Sequence, residues 1–425
     1  MLNSTCRAIL IGLAITCVGL SLRTTSQLQS VASSSPSSPS PSPSVSPSPA
    51  PSPEFQANEV VVELKPGTSI ADVNSRNGTA AIAQISGTSY YVVGPNSPAS
   101  TSTSEAIPQM ATTTGTPTAT PTASTTATPA TDSTTIELRD QLASDPAVQS
   151  AELNYFLAPS SGPIMGFPGG QVVPGKSESD YEAQRQLLGQ FLGLDDAQLR
   201  SRGAGKVVAV IDTGIDRTHP ALASHLWVDD RVNKDIPNDG IDNDNDGLVD
   251  DAYGWNFYGN DNNPTETAAD PSTTIAGHGT FIAGLIALIA PDCRIMPIKV
   301  LSPGGVSDIF TVATCIKYAT DHGADIINLS CGTTRDSYVL RAAVTYARQH
   351  NVVLFAAVGN GSTDQVPQYP ANLTQDVEGV AAIEGPVEAD GVLSAFSNYG
   401  SSVSVDAYGH NLISTYPGGG YALWS

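Results

Sequence analysis

Positive charge is what this chain has least of. Only 19 Lys and Arg stand against 41 Asp and Glu in 425 residues, a formal net charge of −22. Such a surface repels a polyanion and offers no basic stripe, which excludes nucleic acid as a partner. The acidic excess suits an extracellular protein that holds calcium, or simply a carboxylate-rich surface. Cysteine is scarce as well. Cys6 and Cys17 lie near the N-terminus, leaving Cys293, Cys315 and Cys331, an odd number without the paired spacing of a zinc site. Each sits among apolar residues, so buried free thiols are expected rather than nucleophiles. Long hydrophobic runs are also missing. Ala8 to Leu22, preceded by Arg7, is too short for a comfortable membrane span. With the small residues Ser30-Val31-Ala32 behind it, this stretch reads as a secretory signal peptide over residues 1–32, a retained anchor being the other reading. No other segment is apolar enough to cross a bilayer.

What is present divides the chain. Residues 33–53 are almost entirely Ser and Pro, an extended spacer without a core. Residues 54–158 read as a small α+β unit. Its strand covers Glu59 to Leu64, its helix Ile70 to Asn77 and its second strand Ser89 to Val93. A further helix covers Ile136 to Ser144, and a last strand Val148 to Tyr155. A disordered Thr/Ser/Pro insertion at 97–135 interrupts the unit. Residues 159–202 form a connecting segment, Gly/Pro-rich until a helical stretch from Tyr181 to Arg202. Beyond it, apolar runs at Val207–Ile211, Ile295–Val300, Ile326–Leu329, Val352–Ala357 and Val377–Ile383 predict buried parallel strands. Thr280–Leu288, Ser307–His322 and Ser337–His350 carry helical periodicity between them. The fold class is therefore α/β, a parallel sheet with helices on both faces, whose chemistry should collect beyond the carboxyl ends of the strands.

Three short segments carry that chemistry. Val207 to Ile211 runs into Asp212-Thr213-Gly214, Gly277-His278-Gly279-Thr280 sets a histidine between glycines, and Val358-Gly359-Asn360-Gly361 puts a carboxamide in a glycine turn. A hydroxyl becomes nucleophilic only when a base takes its proton, and a buried carboxylate can orient a histidine for that task. Asp212 would be the orienter, His278 the base and Asn360 an oxyanion donor. Singly, each also reads as a turn-capping or helix-starting residue.

Together, and in this order, the three segments resemble the subtilisin-like serine proteases, peptidase family S8. Met296-Pro297-Ile298-Lys299-Val300-Leu301, Asp325-Ile326-Ile327-Asn328-Leu329-Ser330 and Ala395-Phe396-Ser397-Asn398-Tyr399-Gly400 match further. The resemblance covers 203–425 as a catalytic domain and, more weakly, 54–158 as a propeptide domain. It implies a secreted, monomeric endopeptidase zymogen that acts on protein or peptide substrates, with its own propeptide as intramolecular inhibitor. Ser330, Cys331 and Gly332 would form the strand edge that pairs with substrate. Leu301 to Gly305 would shape a more distant subsite, and maturation would cut between Pro159 and Tyr181. Phe281 stands where many relatives carry a second His. The attacking serine is expected three residues past Ser425, so the 425-residue chain is expected to be inactive. A non-catalytic pseudoprotease that holds extended peptides, or a wall-associated surface protein, are the alternatives.

Calcium is the expected cofactor. Asp242, Asp244, Asp246 and Asp250 alternate through Asp242-Asn243-Asp244-Asn245-Asp246-Gly247-Leu248-Val249-Asp250, as in the start of a calcium loop, although Tyr253 replaces the Glu that would complete an EF-hand. His219, His225, His322, His350 and His410 have no second ligand at metal spacing; His322 and His350 read as helix-end residues suited to the dipole.

Overall fold

The computed structural model describes residues 54–96, 133–159, 172–231, 234–266, 275–384 and 391–425. The signal peptide, the Ser/Pro linker, the insertion up to residue 132 and residues 160–171 of the connecting segment lie outside them. Among the described residues, no helix is long and apolar enough to cross a membrane.

The N-terminal unit comprises β1 (Phe55–Leu64), α1 (Ile70–Asn77), β2 (Thr79–Gln84), β3 (Tyr90–Pro95), α2 (Ser133–Ala143) and β4 (Val148–Pro159). The antiparallel order β4-β1-β3-β2 exploits the two-residue period of a strand. Val60, Val62 and Leu64 enter one core with Val73 of α1 and Leu142 of α2. Val61 and Val92 face the opposite way, into the main core of the molecule. Helix α1 begins at Ser69, whose side chain accepts from the Ala71 amide, and stops at Gly78 with φ +65°. Helix α2 takes in residues 133–135, which composition assigned to the disordered insertion.

Buried Asp145 fastens this unit. Its carboxylate accepts from Arg76 at 2.9 and 2.7 Å and from Asn77 Nδ2 at 2.7 Å. The Arg76 guanidinium holds the Asp145 carboxyl well below the usual range, against the cost of burial. Asp145→Asn should therefore destabilise the unit by about 2 kcal/mol at pH 7. A depressed folded-state pKa gives stability that is present above the ordinary range, near 3.9, and is lost as pH falls through the folded value. Urea unfolding at pH 7 and pH 2 should show the gap between wild type and variant closing in acid.

After β5 (Val173–Lys176), α3 (Glu178–Leu192) and α4 (Leu194–Arg200) share the expected helical stretch, split at Gly193, whose φ is +69°. Ser177 and Asp180 form a capping box at the start of α3. This region packs on the body that follows it: Tyr181 donates to the Gly284 carbonyl at 2.6 Å, and Gln198 to that of Ile289 at 2.9 Å.

The main sheet follows the sequence reading closely. Its strands are β6 (Val207–Asp212), β7 (Trp255–Asn256), β8 (Arg294–Lys299), β10 (Ile326–Leu329), β12 (Val353–Ala357), β13 (Val377–Glu384), β14 (Val392–Leu393) and β15 (Val405–Tyr408). They lie in the order β14-β13-β12-β10-β6-β8-β7, with β15 beside β13. Every pairing is parallel except β13–β14. Helix α5 (His278–Ile289) buries Ile282, Ala283 and Ile286 against Val208, Val210 and Phe355 on one face. On the other, α6 (Ile309–Asp321) and α7 (Tyr338–Gln349) set Ile316 and Val344 against Ile211, Ile327 and Leu354. Two-residue strands β9 (Ser307–Asp308) and β11 (Cys331–Gly332) join the N-terminal sheet, while β16 (Leu412–Tyr416) and β17 (Gly420–Trp424) make a separate sheet with β5.

Candidate active site

Strands β12, β10 and β6 are parallel neighbours, so their carboxyl ends open on one edge. Asp212 ends β6, Ser330 and Cys331 follow β10, and Asn360 follows β12. With strands about 4.8 Å apart, the outer two loops stand roughly 10 Å from one another, the span of a few residues of extended peptide.

His278 opens α5 and meets Asp212 from the side. Its Nδ1 lies 2.9 Å from each oxygen of the Asp212 carboxylate. Asp212 is fully buried, whereas the imidazole retains 23% exposure. The Thr213 amide also donates to Asp212 Oδ1 at 2.7 Å. With Nδ1–H pointed at the carboxylate, Nε2 keeps its lone pair. Burial alone would lower the His278 pKa. The charge and hydrogen bond of Asp212, with the charge of Glu266, outweigh it, and the net shift is upward.

Glycine on both sides of His278 has a steric cause. Gly277 has φ +96°, and a Cβ there would stand 2.3 Å from the Tyr416 ring. At Gly279 a Cβ would meet the Gly214 carbonyl oxygen at 2.1 Å. Only a bare backbone lets α5 approach the end of β6 closely enough for the pair to form.

Glu266 is a supporting residue that the sequence did not mark. It is buried, and it accepts from the Gly277 amide at 2.6 Å, the Thr280 amide at 3.1 Å and the Thr280 hydroxyl at 2.8 Å. A carboxylate in this position satisfies the first turn of α5 and so fixes where His278 begins. Burial pushes its own pKa up. Trp424 packs edge-on to the His278 ring at 5.4 Å and to Phe281 at 5.6 Å. Phe281, the departure from the family pattern, is thus a packing residue.

Asn360 is half-buried, and its loop is built by Asn398 of the Ala-Phe-Ser-Asn-Tyr-Gly segment. Asn398 Oδ1 accepts from the amides of Gly361 (2.8 Å) and Thr363 (3.2 Å), and its Nδ2 donates to the Val358 carbonyl at 2.9 Å.

The edge at β11 is occupied by the chain itself. Cys331 and Gly332 pair antiparallel with Pro159 and Ala158 at the end of β4, while Ser307 and Asp308 of β9 pair with Leu157 and Phe156. Ser330 Oγ accepts from Asn328 Nδ2 at 3.1 Å. Cys331 is a buried free thiol, and burial pushes it up to about 12. Ser425 turns elsewhere: its hydroxyl accepts from the Asn411 amide at 2.8 Å. Among the described residues, no serine hydroxyl is hydrogen-bonded to His278.

The acidic loop divides the four predicted ligands. Asp242 and Asp244 gather with buried Asp235, their ligand atoms within 4.8 Å of one another, Asp244 also gathers with Asp229 and His322, and Asp246 gathers with Asp251 and His322. Gly247, at φ +100°, makes the expected sharp turn. Asp250 is in none of these groups; its carboxylate accepts from the amides of Asp239 (2.9 Å) and Gly240 (3.1 Å). His322 does end α6, but its buried ring faces the acidic loop and is no spectator.

The sequence profile of the subtilase family matches residues 203–424. A thermophilic serine proteinase of Bacillus sp. (strain AK1) is 31% identical over 67% of this chain and 60% of its own length. Thermitase of Thermoactinomyces vulgaris is 31% identical over 58% of this chain and 77% of its own. The crystal structure of fervidolysin from Fervidobacterium pennivorans, described as a keratinolytic enzyme related to subtilisin, superposes with a TM-score of 0.58 at 20% identity. It covers 88% of this chain, which spans 52% of that one. The fold, the order of the three motifs and these matches agree, and the chain belongs to the subtilase family.

Proposed function

We propose that this subtilase domain belongs to a secreted serine endopeptidase made as a zymogen. The observation that carries this is the two-point contact between a fully buried Asp212 and the partly exposed ring of His278. In this reading Asp212 holds the tautomer, His278 Nε2 takes the proton of an attacking serine, and the imidazolium that forms is stabilised by the carboxylate. The carboxamide of Asn360 donates to the oxyanion that develops on the scissile carbonyl. Substrate adds as a strand along Ser330, Cys331 and Gly332, a mode in which main-chain hydrogen bonds supply affinity along an extended peptide. The pairing of β4 with β9 and β11 supports both this mode and the role of residues 54–158 as propeptide, its tail lying where substrate would. The N-terminal apolar run supports secretion, and a monomer suffices for every role named.

The attacking serine, in this proposal, comes from outside these 425 residues. A fluorophosphonate probe should leave the 425-residue chain unlabelled and label a protein that also carries the attacking serine. Labelling at Ser425 would overturn the assignment.

Asp235, Asp242 and Asp244 are an all-oxygen set that fits calcium, a hard cation. Calcium at about 100 times its dissociation constant should add about 2.7 kcal/mol to stability. The rise in melting temperature on adding calcium should vanish in Asp242→Asn.

A further inference from the structure

The ring of His322 takes no part in the peptidase chemistry, yet its placement is closely controlled. It caps α6, and its Nδ1 lies 2.9 Å from the Tyr318 carbonyl. That contact puts a proton on Nδ1, so in the neutral ring the lone pair is on Nε2. Tyr318 stacks on the ring at 3.9 Å and Trp227 meets it edge-on at 6.1 Å, so the imidazole has a single orientation. The side chain is 2% exposed.

Nε2 points into the acidic loop. Asp251 Oδ2 lies 3.0 Å away, Asp246 Oδ2 3.5 Å and Asp244 Oδ2 3.9 Å. The carboxylate of Asp251 is completely buried. Neither of its oxygens, nor Nε2 of His322, has a hydrogen-bond partner among the described residues. Buried polar atoms left in this state are costly, so a cluster of them facing one point calls for an occupant. Arg231 already neutralises Asp229 and Asp244 at 2.6 Å. Among the described residues, the only basic group facing Asp246 and Asp251 is the His322 imidazole itself.

We propose that His322 Nε2, Asp251 and Asp246 bind one divalent cation of the zinc class, at a site distinct from the oxygen-only trio of Asp235, Asp242 and Asp244. The donor set carries the distinction. Calcium and magnesium take oxygen ligands, whereas imidazole suits zinc and its transition-metal neighbours. Ligand atoms around a four-coordinate zinc, at bonds of 2.0–2.1 Å, stand about 3.3 Å apart. The separations of 3.0 and 3.5 Å from Nε2 bracket that value. An Nδ1–H donated to a backbone carbonyl is the support that metal-bound imidazoles recurrently have. The cation would tie the acidic loop at residues 234–251 to the carboxyl end of α6, a structural rather than catalytic duty.

The test is zinc titration of the chelator-treated 425-residue chain by calorimetry, in millimolar calcium, which needs no peptidase activity. One equivalent should bind to wild type, and X-ray absorption should find a nitrogen neighbour at about 2.0 Å. His322→Gln should weaken binding about 100-fold or more, as should Asp246→Asn at the more exposed ligand, while Asp242→Asn should bind zinc as wild type does. Circular dichroism checks that each variant folds; if His322→Gln does not, Asp246→Asn decides. No zinc uptake by wild type would mean that the cluster holds only a proton, and the proposal fails. It fails equally if calcium displaces the zinc, or if the deciding variant binds as tightly as wild type.

Discussion

Asp212→Asn should lower kcat/KM towards peptide substrates by about 10⁴ in the protein that carries the nucleophile, with KM little changed. An asparagine keeps the shape of the side chain but removes the charge that stabilises the imidazolium. It can also offer an N–H to Nδ1, which sends the ring proton to Nε2, where the serine needs a lone pair. The pH dependence adds a second readout. His278 accepts a proton only when neutral, and its pKa is raised because the charge of Asp212 outweighs burial. The acid limb of the kcat/KM profile should therefore lie above the ordinary histidine value of about 6.5 and move to lower pH in the variant. Ring-proton NMR of the 425-residue chain measures the same shift without turnover. An unmoved limb, or a loss confined to KM, would contradict the assigned role.

Asn360→Ala comes next in size, a loss of about 10²–10³ in kcat, or roughly 2.7–4 kcal/mol of transition-state stabilisation. The carboxamide meets a full negative charge only after the carbonyl has been attacked, so KM should stay within a small factor of wild type. Steady-state kinetics on a peptide amide separates the two terms. Because Asn398 and not Asn360 supplies the loop's hydrogen bonds, the truncated variant should keep the melting temperature of wild type. Equal losses in kcat and stability would make Asn360 a structural residue instead.

The main sheet was legible because its strands are β-branched runs bounded by glycine and polar residues. Ile326–Leu329 was read without error and β6, β8, β12 and β13 to within a residue at either end, whereas β7, β14 and β15 of the same sheet were not read. The Ala-rich β2 was not seen, since Thr79-Ala80-Ala81-Ile82-Ala83-Gln84 has little β-branched content and is a strand through its pairing with β3. Strands β5, β16 and β17 escaped for a related reason: a glycine-rich turn and a proline obscure the alternation, and three-way pairing defines them.

The same division runs through the site. Asp212 and His278 announce themselves because the strand end and the flanking glycines lie beside them in the chain. Glu266 does not, because its value depends on the arrival of α5 above it. In the acidic loop, alternation picked Asp250, but that residue takes φ +63° and turns its carboxylate back onto the loop, leaving Asp251 to face inward. His322 comes from another element altogether, and no spacing rule within the loop could have proposed it.

By itself the sequence determined the α/β class, the alternation of strands and helices and the acid–histidine–amide order. These are consequences of periodicity and local sterics, which act over a few residues and leave their mark in the chain. The tertiary structure alone decided that β4 fills the edge beside β11, that Glu266 holds the helix of His278, and that His322 meets Asp246 and Asp251. Each of those depends on packing between distant segments, where burial and charge are settled jointly by residues that carry no record of one another in the linear order.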